Sequence, residues 1–132
     1  MVEEQAAEGA KRKVILAVDD MAISLTTIRT ILQHEYDVRL CKSASLALEI
    51  LESVKPDLIL MDIEMPEISG MEFVGLIKKN EAYRNIPIIF VTSHASGDLI
   101  DKAMDFSAEG YIVKPFIPEA LIKRVKAALG EE

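Results

Sequence analysis

Asp19 with Asp20, Asp62, Thr92 with Ser93, and Lys114 each stand directly after a short run of apolar residues. Together they offer carboxylates, hydroxyls and one ammonium. Three carboxylates brought close repel one another strongly unless a cation sits among them. An all-oxygen ligand set that keeps several waters suits Mg²⁺. Zinc is a poor match, because the single cysteine and the two histidines do not stand in ligand spacing. A divalent ion beside a lysine ammonium makes a cradle for a phosphoryl group, whose oxygens call for fixed positive charge. An aspartate carboxylate can attack such a group as a nucleophile.

Whether these groups meet depends on the elements that carry them. The runs Val14–Val18, Val38–Cys41, Leu58–Met61, Ile86–Val91 and Tyr111–Val113 are short, apolar and rich in β-branched residues, so they read as strands. Longer stretches with helical spacing lie between and after them. Their stripes are Ile28, Ile31 and Leu32; Leu46, Ile50, Leu51 and Val54; Phe73, Leu76 and Ile77; Leu99, Ile100, Ala103 and Met104; and Leu121, Ile122, Val125 and Leu129. Ser43, Gly70 and Pro118 mark helix starts, and Pro56, Pro66, Gly97, Gly110 and Pro115 punctuate the connections. Regular alternation of strand and helix implies an α/β fold with a parallel sheet covered on both faces. For five strands we adopt by analogy the common doubly wound, flavodoxin-like order 2-1-3-4-5. In that order strands 1, 3, 4 and 5 are adjacent. Their carboxyl ends share the rim where such sheets bind ligands. Strand 2 ends in Cys41 and Lys42 and adds nothing comparable.

The chain has 132 residues, half of them apolar, which fits one domain with a sizeable core. Residues 1–12 read as a flexible arm and residues 13–130 as the domain. A formal net charge of −7 sets the surface against phosphate backbones, so nucleic acid is not an expected partner. One cysteine, Cys41, leaves no intrachain disulfide and agrees with a reducing, cytoplasmic setting. No apolar run approaches the ~18–20 residues of a membrane span. The acidic, polar N-terminus reads against a signal peptide.

Four segments together resemble the receiver domains of two-component response regulators. They are Asp19-Asp20; Met61-Asp62-Ile63-Glu64-Met65-Pro66; Val91-Thr92; and Tyr111-Ile112-Val113-Lys114-Pro115-Phe116. Each is weak alone, but four in the right order on the right strands are specific, and the resemblance runs from about Lys13 to Leu129. It implies that Asp62 accepts a phosphoryl group from a sensor histidine kinase or a histidine phosphotransfer protein. It implies Mg²⁺ as cofactor, held directly by Asp20, Asp62 and the backbone carbonyl of Glu64, with Asp19 acting through water. Lys114 would pair with the phosphoryl oxygens, Thr92 would bond them after transfer, and Tyr111 would be an aromatic switch. The Lys114–Pro115 peptide would be cis. An output domain or partner would read the face formed by the fourth helix, about Gly97 to Phe106, with the fifth strand and fifth helix. The Glu64 side chain, Ser93 and His94 would modulate the lifetime of the phosphorylated state. Such a domain catalyses only its own phosphotransfer and dephosphorylation and is not otherwise an enzyme.

Blander readings stand beside these. Asp19-Asp20 could cap a helix. Thr92 could be a strand residue of high β-propensity, Tyr111 core packing, and His94 an exposed loop histidine. A phosphatase with an aspartyl intermediate would favour Asp-x-Asp after the first strand, where this chain has Asp19-Asp20. A nucleotide or flavin module would carry a glycine-rich phosphate loop, and none is present. A receiver-like module that never uses phosphate would leave the same acidic residues as a relic.

Overall fold

A computed structural model of the chain describes residues 12–65, 68–93, 101, 105 and 109–131. The strands are β1 (Val14–Val18), β2 (Asp37–Cys41), β3 (Leu58–Asp62), β4 (Ile88–Thr92) and β5 (Gly110–Val113). The helices described in full are α1 (Ala22–Leu32), α2 (Ala44–Ile50), α3 (Gly70–Lys79) and α4 (Pro118–Ala128). The sheet has the order β2-β1-β3-β4-β5 and every pairing is parallel. This is the flavodoxin-like order expected from the sequence. The N-terminal arm up to residue 11, the stripe Leu99, Ile100, Ala103 and Met104, and His94 lie outside the described residues.

Alternation along the strands divides the core into two layers. Leu16, Val18, Ile59, Met61, Ile88 and Phe90 pack against Ala44 and Ala47 of α2 and Phe73, Val74 and Ile77 of α3. Ile15, Ala17, Leu58, Leu60, Ile89, Val91 and Ile112 pack on the other face, against Leu25, Ile28 and Leu32 of α1 and Leu121 and Val125 of α4. Every residue of β3 and of β4 is buried. That explains why these two segments read as continuous apolar runs rather than as alternating ones.

Two helical stripes differ from the sequence reading. Leu46 and Leu76 are each 48% exposed, while Ala47 and Val74 are buried in their place. The α2 helix is only seven residues long and turns its small residues, Ala44 and Ala47, to the sheet. Small side chains let it sit close, so Leu46 is left outside. In α3 the buried set is Gly70, Phe73, Val74 and Ile77. The i, i+3, i+4, i+7 pattern passes through Val74, which puts Leu76 on the far side.

Helix starts are set by local chemistry. The Ser43 side chain accepts from the Leu46 N–H at 3.1 Å, as its position suggested. The α3 helix begins one residue earlier in function than Gly70 implied. Ser69 is its N-cap and forms a reciprocal capping box with Glu72. Pro118 opens α4, where the missing N–H costs nothing.

This division predicts opposite outcomes for two neighbouring apolar residues. Leu76→Gln should change stability by no more than about 0.5 kcal/mol. Val74→Ala removes buried carbon from the sheet–helix layer and should cost on the order of 2 kcal/mol. Urea denaturation of both variants checks this. Equal losses would mean that α3 is rotated from the orientation described.

Candidate functional site

The chemistry-bearing residues are held by the sheet ladder as it runs out at its carboxyl end. Val18 pairs with Cys41 on one side and Met61 on the other, Asp62 with Val91, and Thr92 with Val113. The ladder then continues one residue into each loop. The Asp19 N–H donates to the Cys41 carbonyl at 3.0 Å, the Ile63 N–H to Val91 at 3.1 Å, and the Lys114 N–H to Thr92 at 2.8 Å. Asp62 and Thr92 are therefore the last residues of their strands. Asp19 and Lys114 are pinned immediately beyond theirs. Parallel strands with a common direction bring these ends to one rim, as the order requires.

Carboxylate oxygens of Asp19, Asp20 and Asp62 lie within 4.8 Å of one another. Asp19 and Asp62 are buried, whereas Asp20 is exposed. Lys114 Nζ is 2.8 Å from Asp19 Oδ2 and 3.8 Å from Asp62 Oδ2. The lysine is thus seated closer to Asp19 than to Asp62. The Met21 N–H donates to Asp19 Oδ1 at 2.9 Å, and the Glu64 N–H donates to Asp62 Oδ1 at 3.4 Å. Three formal negative charges face one positive charge.

Burial, and then the charge of Asp19, push the Asp62 carboxyl up to about 7, while Lys114 and the Glu64 N–H pull the other way. Desolvation penalises the ionised form, and a like charge nearby adds to the penalty. Asp19 Oδ2 is buried and accepts no well-formed hydrogen bond; Lys114 meets it as an ion partner only. A buried carboxylate oxygen matched by one ammonium alone, excess negative charge and an all-carboxylate donor set fit a hard divalent cation such as Mg²⁺.

The remaining expected residues fall around this cluster. Thr92 is buried at the end of β4. Tyr111 on β5 is partly buried and packs against the layer that contains Phe90 and Met61. Ser93 is exposed beside Lys114, Pro115 and Phe116, and all four line a shallow cavity of about 420 Å³ with Ile23, Ser24 and Thr27 of α1. The Lys114–Pro115 peptide is cis. Sequence reading did not single out Met21, because its contribution is a backbone N–H that any residue there supplies. It also gave no reason to place Lys114 nearer Asp19 than Asp62, which depends on where the loop after β5 points.

The raised carboxyl has a consequence for metal-free protein. Asp62 keeps its proton to about 7 in the fold, against 3.8 ordinarily. Between those values the folded chain binds more protons than the unfolded one, so stability falls as pH rises. The fall begins near the ordinary value and levels off above about 7. Solvent screening at this half-open rim reduces the loss below what the shift alone would give, so the direction of the slope is what the experiment reads. Urea midpoints measured in chelator across this range should show it, and Asp62→Asn should flatten most of the slope. A slope unchanged in that variant would place the titrating group elsewhere.

Comparison with known proteins agrees with this geometry. The family described as "Response regulator receiver domain" matches residues 15–126. The polar-differentiation response regulator DivK of Brucella ovis is 32% identical over 120 residues, covering 90% of this chain and 98% of that protein. The chemotaxis protein CheY4 of Vibrio cholerae superposes with a TM-score of 0.85 at 30% identity, covering 89% of this chain and 99% of that one. A CheY-like response regulator receiver domain protein of Methanospirillum hungatei gives a TM-score of 0.82 at 30% identity, covering 91% and 95%. Acidic cluster, sheet order and these likenesses converge, and the chain belongs to the response regulator receiver domains of two-component signalling.

Proposed function

We propose that Asp62 is the phosphoacceptor and that the unit doing this work is residues 13–130, acting in the cytoplasm. The observation that carries the reading is the position of Asp62. Its carboxylate lies within 4.8 Å of two other carboxylates and 3.8 Å from Lys114 Nζ, at the end of a wholly buried strand. A nucleophile so placed has cation sites on both sides. Once Asp62 has released its proton to solvent, a carboxylate oxygen attacks phosphorus, an O–P bond forms, and the bond from phosphorus to the donor breaks. With a phosphohistidine donor, the electron pair returns to the imidazole nitrogen. The product is an acyl phosphate.

Asp20 and Asp62, with the Glu64 carbonyl, would hold Mg²⁺, and Asp19 would act through water. When bound, Mg²⁺ offsets the carboxylate charge and that of the arriving phosphoryl oxygens. Asp20 is the exposed member of the cluster and is open to a cation from solvent. Asp19 is already engaged by Lys114 and by the Met21 N–H. Lys114 sits within reach of both Asp19 and Asp62, so it can turn toward phosphoryl oxygens without leaving the cluster. Thr92 would donate to one oxygen, and Tyr111, on the adjoining strand β5 and paired with Phe90, would respond as the aromatic switch. The output face would include β5 and α4.

A protein donor is supported by the rim itself. Met21, Ile23 and Ile117 are exposed apolar residues, and Ile23 lines the cavity beside Lys114. A sensor histidine kinase or histidine phosphotransfer protein that reaches Asp62 would cover them.

Intact mass after treatment with acetyl phosphate and Mg²⁺ should show one added phosphoryl group, released by mild base. Asp62→Asn should gain none; a normal gain in that variant would remove the assignment. Calorimetric titration should also show Asp20→Asn weakening Mg²⁺ binding more than Asp19→Asn does. The reverse order would exchange the roles given to the two residues.

A further inference from the structure

Gly70 is the first residue of α3, and it is buried. Its N–H donates to the Ile63 carbonyl at 2.9 Å. The turn that holds it is locked from both directions. The Glu72 N–H donates to Ser69 Oγ at 3.2 Å, and the Ser69 N–H donates to Glu72 Oε1 at 3.0 Å. The helix behind is anchored by Phe73, Val74 and Ile77, all buried against the sheet. The start of α3 is therefore stitched to the residue that follows Asp62.

A methyl group on Gly70 would overlap the Asp62 carbonyl oxygen. It would also lie 2.9 Å from Ile63 Cα and 3.1 Å from the Asp62 carbonyl carbon. All three atoms are backbone, so no side-chain rotation relieves the overlap. Gly70 is helical and does not have a positive φ. The requirement is for space and not for an unusual conformation. Helix propensity alone argues the opposite way, since alanine is favoured over glycine in helices.

We propose that Gly70 is a positioning residue for the Asp62 carboxylate. Its missing side chain lets α3 abut the Asp62–Ile63 peptide. That contact fixes the distance from the carboxylate to Asp19, Asp20 and Lys114. The inference rests on the reading of Asp62 as acceptor. With alanine there, either the peptide or the helix end must shift. Buried anchors hold the helix on one side and the strand ladder holds Ile63 on the other, so the overlap is taken up by the Asp62–Ile63 peptide between them, which tilts and carries the carboxylate with it.

Gly70→Ala and Ser69→Ala separate positioning from plain stability. The second variant weakens the helix start without placing an atom against Asp62. Mg²⁺ affinity by calorimetry should fall about tenfold or more in Gly70→Ala, as for lost outer-shell support, and stay within about twofold of wild type in Ser69→Ala. In metal-free protein the Asp62 carboxyl carbon and the Ile63 amide resonance should move only in Gly70→Ala. Wild-type affinity and unmoved resonances in Gly70→Ala would overturn the proposal. So would an equal loss of affinity in Ser69→Ala. A Gly70→Ala chain that fails to fold in the cold with saturating Mg²⁺ would also overturn it, by making Gly70 a requirement of the fold alone. Wild-type protein that neither binds Mg²⁺ nor takes phosphate from acetyl phosphate would instead remove the acceptor reading, and this inference with it.

Discussion

Three carboxylates gather within 4.8 Å at the end of a parallel sheet, with Lys114 as the cation among them. Left to themselves such charges would move apart. They stay because their backbones are held by the ladder that continues into the loops at Asp19, Ile63 and Lys114. Repulsion that cannot be relieved by motion is relieved by chemistry instead. Asp62 holds its proton up to about 7, and the buried Asp19 Oδ2 draws Lys114 to 2.8 Å. A bound cation or the phosphorylation apparatus would find a site already built and short of positive charge.

A rigid frame makes this crowding tolerable. Both β3 and β4 are buried throughout, with Phe90 and Met61 on one face and Leu60, Ile89 and Val91 on the other. Displacing the last residue of either strand would disturb close-packed layers on two sides. The same frame explains why α3 matters to Asp62. Its anchors leave it no freedom to retreat from the loop after β3.

Much of this was legible in the sequence, and the reasons differ from element to element. Strands β3 and β4 announced themselves because both faces are covered, so nothing polar interrupts Leu58–Met61 or Ile88–Val91. Asp19, Asp20, Asp62, Thr92 and Lys114 were legible because each ends a strand or stands within two residues past one, and a parallel sheet collects such ends on one rim. Leu46 and Leu76 misled because a leucine at helical spacing reads as core, while the sheet accepted Ala47 and Val74 at closer range. The capping box of Ser69 and Glu72 was written plainly as Ser-x-x-Glu but was overshadowed by the adjacent glycine. Lys114 leaning toward Asp19 was not legible, since its direction comes from a loop whose geometry no local pattern encodes.

Linkage ties the weakness of the site to its use. A fold that confines like charges loses stability by doing so, and any ligand that cancels them restores it. Binding then draws on repulsion already present as well as on new contacts. The same reasoning limits the signal. Phosphorylation can shift the domain only by the difference in phosphoryl contacts between its two shapes, which for such coupling is ~1–3 kcal/mol. If the domain switches as proposed, a minor active population would be present before phosphate arrives, because a difference of that size does not empty either state. Neutralising one carboxylate of the cluster should then act in two opposed ways: it relieves the unmodified fold and it weakens the site for the cation. Which effect dominates depends on whether the residue is buried against Lys114, like Asp19, or open to solvent, like Asp20.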